Sequence, residues 1–66
     1  MRITVNGKEM QFEGPLTVGG LLEILGVNPK AVVVERNLTI LNRDGFGVEL
    51  VQDSDSIEII RFVGGG

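Results

Sequence analysis

The sequence of 66 residues contains no cysteine, histidine, tryptophan or tyrosine. Without cysteine or histidine, the chain cannot form a disulfide, use a thiol nucleophile or a histidine general base, or build the usual Cys/His metal sites. Because 42% of the residues are hydrophobic but the only aromatic residues are three phenylalanines, the core must be aliphatic. A core of this size suffices for one sheet covered by one helix, so we expect no deep catalytic pocket.

Positive charge is also scarce in this chain. Six lysines and arginines face nine acidic residues, which gives a formal net charge of -3. The basic residues are scattered, whereas phosphate binding requires them to be clustered, so we expect no nucleic-acid partner. No apolar run approaches membrane-spanning length, and the start MRITVNG has no apolar signal core. We therefore expect a cytoplasmic protein with no membrane partner.

The first half of the chain has two clear periodic segments. MRITVNGKEMQF alternates apolar residues on both sides of Asn6-Gly7, a dipeptide typical of tight turns, and this predicts an antiparallel hairpin. In PLTVGGLLEILGVNP, Thr17 can cap a helix, and Gly26 can end it before Pro29. The i, i+3, i+4, i+7 spacing predicts one apolar helix face, formed by Val18, Leu21, Leu22 and Leu25.

The second half predicts strands separated by turns. AVVVER has the composition of a strand, a short strand is expected near Thr39–Leu41, and a turn or brief helix over residues 43–47. The segment VQDSDS predicts a polar turn in which Asp53 and Asp55 are solvated. A calcium loop or an acid–base pair is far less favoured, since most EF-hand ligands and any enclosing apolar shell are missing. The order of elements predicts an α+β domain.

The last predicted strand, SIEIIRFV, has apolar residues on both faces. Alternation places Ile57 and Ile59 on one face and Ile60 and Phe62 on the other. Because no segment remains to cover the second face, we interpret Ile60, Phe62 and the adjoining Val63 as a partner interface.

The sequence ends in three glycines, Gly64, Gly65 and Gly66. Residues without a Cβ can enter a narrow channel in almost any backbone conformation, and three residues reach about 10 Å when extended. The reactive group at such an end is the α-carboxylate, which requires activation before a nucleophile can attack it. We therefore expect a folded domain over residues 1–63 and a flexible tail over residues 64–66 that another enzyme modifies.

Several stretches together resemble the ubiquitin-like β-grasp sulfur carriers, in particular those of thiamine biosynthesis. These stretches are MRITVNGK, LTVGGLLEILG, VVVERN, ILNR and the closing DSDSIEIIRFVGGG. The resemblance covers essentially the whole chain and implies a single mixed sheet of four to five strands packed on one helix. Relatives often have Asp-Gly-Asp where this chain has Asp53-Ser54-Asp55.

The resemblance also implies a mechanism. An E1-like adenylyltransferase would use ATP to adenylate the carboxylate of Gly66, and a persulfide sulfur donor would convert the adenylate to a thiocarboxylate. Thiazole synthase would then take the sulfur. The chain itself would bind no cofactor and would be a protein co-substrate rather than an enzyme. Two alternatives remain open, namely a sulfur carrier for another pathway (molybdopterin, cysteine or tRNA thiolation) and a non-covalent ubiquitin-like adaptor.

Overall fold

The computed structural model describes residues 1–62, which form one five-stranded sheet and one α-helix. The strands are β1 (Arg2–Val5), β2 (Lys8–Gln11), β3 (Val32–Arg36), β4 (Thr39–Ile40) and β5 (Ser56–Arg61), and the helix is α1 (Val18–Ile24). Two 3₁₀ turns span Pro29–Ala31 and Arg43–Gly45. The sheet order is β2-β1-β5-β3-β4. Because β5 runs parallel to β1 and antiparallel to β3, the sheet is mixed, which confirms the expected α+β architecture.

The N-terminal hairpin has the predicted tight turn. Asn6 and Gly7 adopt φ angles of 50° and 81°, as a two-residue hairpin turn with left-handed central residues requires. The register places Val5 opposite Lys8 and Ile3 opposite Met10. The buried side chains of Ile3 and Val5 therefore lie on the same face of β1, as the alternation predicts.

Helix α1 begins and ends as its capping residues predict. The Gly20 N–H donates to the Thr17 hydroxyl over 3.0 Å, which pairs one of the free amides of the first turn. At the other end, Gly26 has φ of 70°. The Gly26 N–H donates to the Glu23 carbonyl and the Val27 N–H to the Leu22 carbonyl, which is the Schellman arrangement. Free backbone groups at both ends of the helix are thus hydrogen-bonded to residues within a few positions.

The core lies between α1 and one face of the sheet. Leu25, predicted on the buried helix face, is only half-buried. A core residue that the sequence analysis did not identify is Phe46, which follows the second 3₁₀ turn and is 5% exposed. The full set of buried apolar residues is Ile3, Val5, Val18, Leu21, Leu22, Val32, Val34, Phe46, Val51 and Ile57.

Gly19 has a packing role that explains a glycine in the first helical turn. Its N–H donates to the Phe46 carbonyl over 2.8 Å, and a Cβ at this position would lie 3.2 Å from that same oxygen. A side chain at residue 19 would therefore push the 46–51 segment away from the helix. The hydrogen bond to Phe46 therefore requires a residue without a side chain, which explains a glycine here despite its low helix propensity.

Strand β5 occupies the centre of the sheet. It pairs with β1 at Thr4–Ser56 and Val5–Ile57, and with β3 along five residue pairs from Val32–Arg61 to Arg36–Ile57. The ladder with β3 continues past the strand end, since the Phe62 N–H donates to the Ala31 carbonyl over 3.1 Å. The strand that leads to the terminal glycines is therefore anchored on both sides. Over residues 1–62, no helix is long and apolar enough to cross a membrane.

Candidate functional site

The two faces of β5 differ as the sequence predicts. Ile57 is fully buried and Ile59 half-buried on the helix side. Ile60 and Phe62 are 46% and 57% exposed on the opposite side. Because nothing in residues 1–62 covers this second face, two large apolar side chains meet water at the point where the chain leaves the sheet. Such exposure is typical of a binding surface when the apolar residues are contiguous.

Strand pairing extends this apolar surface beyond the two residues predicted from the sequence. Val33 lies directly opposite Ile60 on β3 and is half-buried. Ile40 on β4 is 67% exposed and lies on the same face, because its partner Glu35 is two residues along β3 from Val33. We call Val33, Ile40, Ile60 and Phe62 the outer patch. Val33 and Ile40 could have been found only from the register, which the sequence alone does not define.

An acidic pair borders the outer patch. Glu35 and Glu58 lie directly opposite each other on β3 and β5, and alternation places both on the outer face. Like charges in this arrangement destabilise a sheet by about 0.2–1 kcal/mol. The neighbouring Arg36 does not neutralise them, since its guanidinium binds the Glu49 carboxylate and the Leu50 carbonyl. The outer patch therefore combines exposed apolar side chains with a negative border, a combination that suits a partner with an apolar and basic surface.

The two aspartates of the predicted polar turn have structural roles. Asp55 is only 7% exposed, so the prediction that it is solvated is wrong. Its carboxylate accepts hydrogen bonds from the Gln52 N–H and the Asn37 side-chain amide, at 2.8 and 3.1 Å. Asp53 is exposed, and its carboxylate accepts the Arg2 N–H at 2.7 Å. Burial of a short acidic side chain inside a turn leaves no signal in hydropathy, which explains why the sequence analysis missed it.

Ser54, between these aspartates, adopts φ of 72°. Left-handed backbone strains a residue with a Cβ and suits glycine. A glycine at this position, which the resemblance implies for related carriers, would adopt this conformation without strain. The serine keeps the same turn, with its N–H donating to the Arg2 carbonyl over 2.7 Å.

The surface of residues 1–62 has two notable depressions. One, of about 390 Å³, is lined by Met1, Arg2, Gln11, Asp53 and Ser54. The other, of about 440 Å³, lies beside the helix and is lined by Gly19, Glu23, Gly26, Val27, Asn28 and Pro29. The first holds the Ser54 hydroxyl beside the Asp53 carboxylate, but that carboxylate already accepts the Arg2 N–H; the second has one carboxylate, Glu23, and no nucleophilic side chain. Within the same residues, no group of three or more His, Cys, Asp or Glu side chains could hold a metal ion.

The remaining predicted site residues are Val63, Gly64, Gly65 and Gly66, which lie outside the described residues. The domain boundary at residue 63, the flexible tail, the interface role of Val63 and the modification of Gly66 therefore stay predictions. The structure describes the residue that directly precedes them in the sequence. The last described residue, Phe62, is held in the sheet because its N–H donates to the Ala31 carbonyl.

Over residues 1–62, the mixed sheet of order β2-β1-β5-β3-β4 with one α-helix on one face defines a ubiquitin-like β-grasp domain. The model of the ThiS family matches residues 3–66, so the chain belongs to the ThiS family. A crystal structure of the thiamine biosynthesis protein ThiS from Geobacter metallireducens superimposes with a TM-score of 0.86 and 40% sequence identity, covering 100% of both chains. The predicted family and fold are confirmed.

Curated relatives are of two lengths. The chain is 35% identical over 65 residues to the sulfur carrier protein ThiS of Bacillus subtilis, covering 97% of this chain and 98% of the relative. It is also 42% identical over 66 residues to a thiazole synthase of Paramagnetospirillum magneticum, covering 100% of this chain but only 20% of the relative. The chain thus spans about a fifth of that thiazole synthase, which contains a segment similar to this whole domain.

Proposed function

We propose that this protein is a sulfur carrier of thiamine biosynthesis and that Gly66 is the residue that carries the sulfur. The observation that supports this most directly is the ThiS-family match, which runs through residue 66 and so includes the terminal glycines. The chain acts as a co-substrate and contributes no catalytic side chain. This role agrees with a sequence that has neither cysteine nor histidine and with aspartates that are engaged in backbone hydrogen bonds.

The chemistry takes place at the α-carboxylate of Gly66. A carboxylate oxygen attacks the α-phosphorus of ATP in an E1-like adenylyltransferase, which forms the acyl adenylate and releases pyrophosphate. The terminal sulfur of a persulfide donor then attacks the carbonyl carbon and displaces AMP. Reduction of the resulting acyl disulfide by a thiol leaves the thiocarboxylate. Thiazole synthase takes this sulfur, a partner suggested by the thiazole synthase relatives that contain a similar segment.

The outer patch is the surface that meets the partner enzymes. Ile60 and Phe62 precede Gly66 by only six and four positions in the sequence, so a partner that holds the patch also has the carboxylate within reach. Covalent geometry limits four residues to about 14 Å of chain. The acidic border at Glu35 and Glu58 selects a partner surface with a lysine or arginine at the matching position.

Intact-mass spectrometry tests the proposal directly. The purified chain is incubated with an E1-like adenylyltransferase of thiamine biosynthesis, ATP and a persulfide donor. We expect first an AMP adduct and then the exchange of one oxygen for sulfur. A reaction without ATP and a variant lacking Gly66 serve as controls, and both should show no mass change. The same spectrum shows whether Gly66 is the last residue.

Each outcome has a distinct meaning. An AMP adduct with sulfur exchange, followed by thiazole formation when thiazole synthase and its other substrates are added, supports the full proposal. Sulfur exchange without transfer to thiazole synthase assigns the carrier to another thiolation pathway. If no adduct forms under conditions in which the Bacillus subtilis ThiS is adenylated, the carrier function is wrong and a non-covalent adaptor is the better description.

A further inference from the structure

Two asparagines, Asn6 and Asn37, lie on opposite sides of β5 in nearly the same conformation. Their φ angles are 50° and 51°. Each donates its backbone N–H to a β5 carbonyl, Asn6 to Ile57 at 2.9 Å and Asn37 to Ser56 at 2.8 Å. Each also accepts a β5 amide on its side-chain oxygen, from Ile59 at 2.7 Å and from Ser56 at 2.9 Å. The two side chains therefore continue the hydrogen-bond ladders past the ends of β1 and β3.

The two asparagines act on opposite ends of β5. Asn37 binds the beginning of the strand, and its side-chain amide also donates to Asp55. Asn6 binds the end of the strand, because its side-chain amide donates to the Ile59 carbonyl at 3.3 Å while its oxygen accepts the Ile59 N–H. Both backbone polar groups of Ile59 are thus held by one side chain, directly before Ile60.

We propose that Asn6 is a positioning residue for the transfer reaction, and this inference rests on the proposed function. Strand β1 ends at Val5, opposite Ile57, so the Asn6 side chain takes the place of a further β1 residue beside Ile59. It holds the end of β5 on the side that β3 does not reach. The Asn6 side chain thereby fixes the direction of the backbone at Ile60 and Phe62 before a partner binds. Without it, ordering these residues would add a conformational entropy cost to docking.

The symmetry of the two turns provides a matched pair of variants, Asn6→Gly and Asn37→Gly. Glycine accepts the positive φ at both positions, and each substitution removes the side-chain hydrogen bonds to β5. The assay is steady-state adenylation by an E1-like adenylyltransferase with the carrier concentration varied. We expect Asn6→Gly to raise KM about tenfold, equivalent to about 1.4 kcal/mol, with kcat unchanged. Asn37→Gly should lower the melting temperature about as much as Asn6→Gly does, but it should leave KM unchanged.

Amide hydrogen exchange followed by NMR supplies an independent measurement. The Ile59 amide should be protected in the wild type and in Asn37→Gly, and should exchange rapidly in Asn6→Gly. The Ser56 amide should be protected in the wild type and in Asn6→Gly, and should exchange rapidly in Asn37→Gly. A rapidly exchanging Ile59 amide in the wild type would overturn the inference, because the bond to Asn6 would then not persist in solution.

A conservative variant separates positioning from general destabilisation. Asn6→Asp keeps an oxygen that can accept the Ile59 N–H and tolerates the left-handed backbone, but it cannot donate to the Ile59 carbonyl. We expect its KM to lie between those of the wild type and Asn6→Gly. If Asn6→Gly does not fold, Asn6→Asp alone decides, and an unchanged KM for it contradicts the inference.

Equal KM changes in Asn6→Gly and Asn37→Gly would also contradict it, since loss of stability would then account for both. Failure of the wild type itself to be adenylated would instead refute the proposed function. The two failures are therefore distinguishable within one set of assays.

Discussion

Replacement of Phe62 by alanine tests whether the outer patch binds the partner enzymes. Complete burial of a phenylalanine side chain contributes about 1.5–3 kcal/mol, and Phe62 is still 57% exposed in the free domain. A partner that buries the remainder would therefore gain about 0.9–1.7 kcal/mol from this residue. We expect Phe62→Ala to raise the Kd for the adenylyltransferase, or the KM in adenylation, about 4- to 20-fold.

The fraction of Phe62 that is already buried contributes to folding, so a control for stability is needed. Ile57→Val on the same strand provides it, since Ile57 is fully buried and the loss of one methyl group from a core costs about 0.5–1.5 kcal/mol. Urea unfolding gives the stability of both variants, and calorimetric titration with the adenylyltransferase gives their affinity. We expect similar losses of stability but weaker binding only for Phe62→Ala. If Phe62→Ala is less stable and binds with unchanged affinity, Phe62 belongs to the fold and the interface assignment is wrong.

Further substitutions test the tail, the acidic border and the aspartate turn. Gly65→Val should abolish adenylation, because a β-branched side chain would not fit the narrow channel through which we expect the adenylyltransferase to take the tail. Its melting temperature should stay unchanged. Normal adenylation of this variant would show that the tail does not enter such a channel. Glu58→Lys should stabilise the domain by about 0.4–2 kcal/mol, since the repulsion within the like-charged pair with Glu35 is lost and an attractive pair of similar strength replaces it. The same variant should bind the adenylyltransferase more weakly, and unchanged binding in low salt would show that the pair does not face a basic partner. Asp55→Ala should lower the free energy of unfolding in urea by about 2–3 kcal/mol, because it leaves buried donors unpaired. Asp53→Ala should lower it less, because Asp53 is exposed. Equal losses for the two variants would contradict the difference in burial.

Local chemistry explains why so much of the fold could be predicted from the sequence. Asn6-Gly7 supports the left-handed turn of the first hairpin, and Thr17 with Gly26 marks both ends of the helix. Each of these features depends on residues a few positions apart, so the sequence shows them directly. The packing of Phe46 against Gly19 was not predictable in this way. It joins residues 27 positions apart, and only the folded chain brings them together.

The candidate site was predictable on one strand and not on its neighbours. Alternation along SIEIIRFV correctly separates Ile57 from Ile60 and Phe62. Val33 and Ile40 escaped detection, since their place beside Ile60 depends on the pairing of β3 with β5 and β4. The burial of Asp55 escaped for a related reason. Its carboxylate replaces water with the amides of Gln52 and Asn37, and a pattern of polar residues does not reveal which of them are satisfied internally.

The location of the outer patch fits the proposed transfer of sulfur from the C-terminal carboxylate. A carrier whose reactive group lies a few residues beyond its last strand gains precision only if that strand is held firmly. Strand β5 satisfies this by its central place in the sheet, with the buried Ile57 on one face. Its other face is free for Ile60 and Phe62 because the single helix covers only one side of the sheet. Ile60 and Phe62 are thus both anchored in the sheet and exposed to a partner, so a partner that binds them holds the chain at its last strand. If the outer patch lay on the edge strands alone, it would be two strands away from β5, which is about 10 Å at the usual spacing, and the proposed tail would lose much of its reach in returning to it.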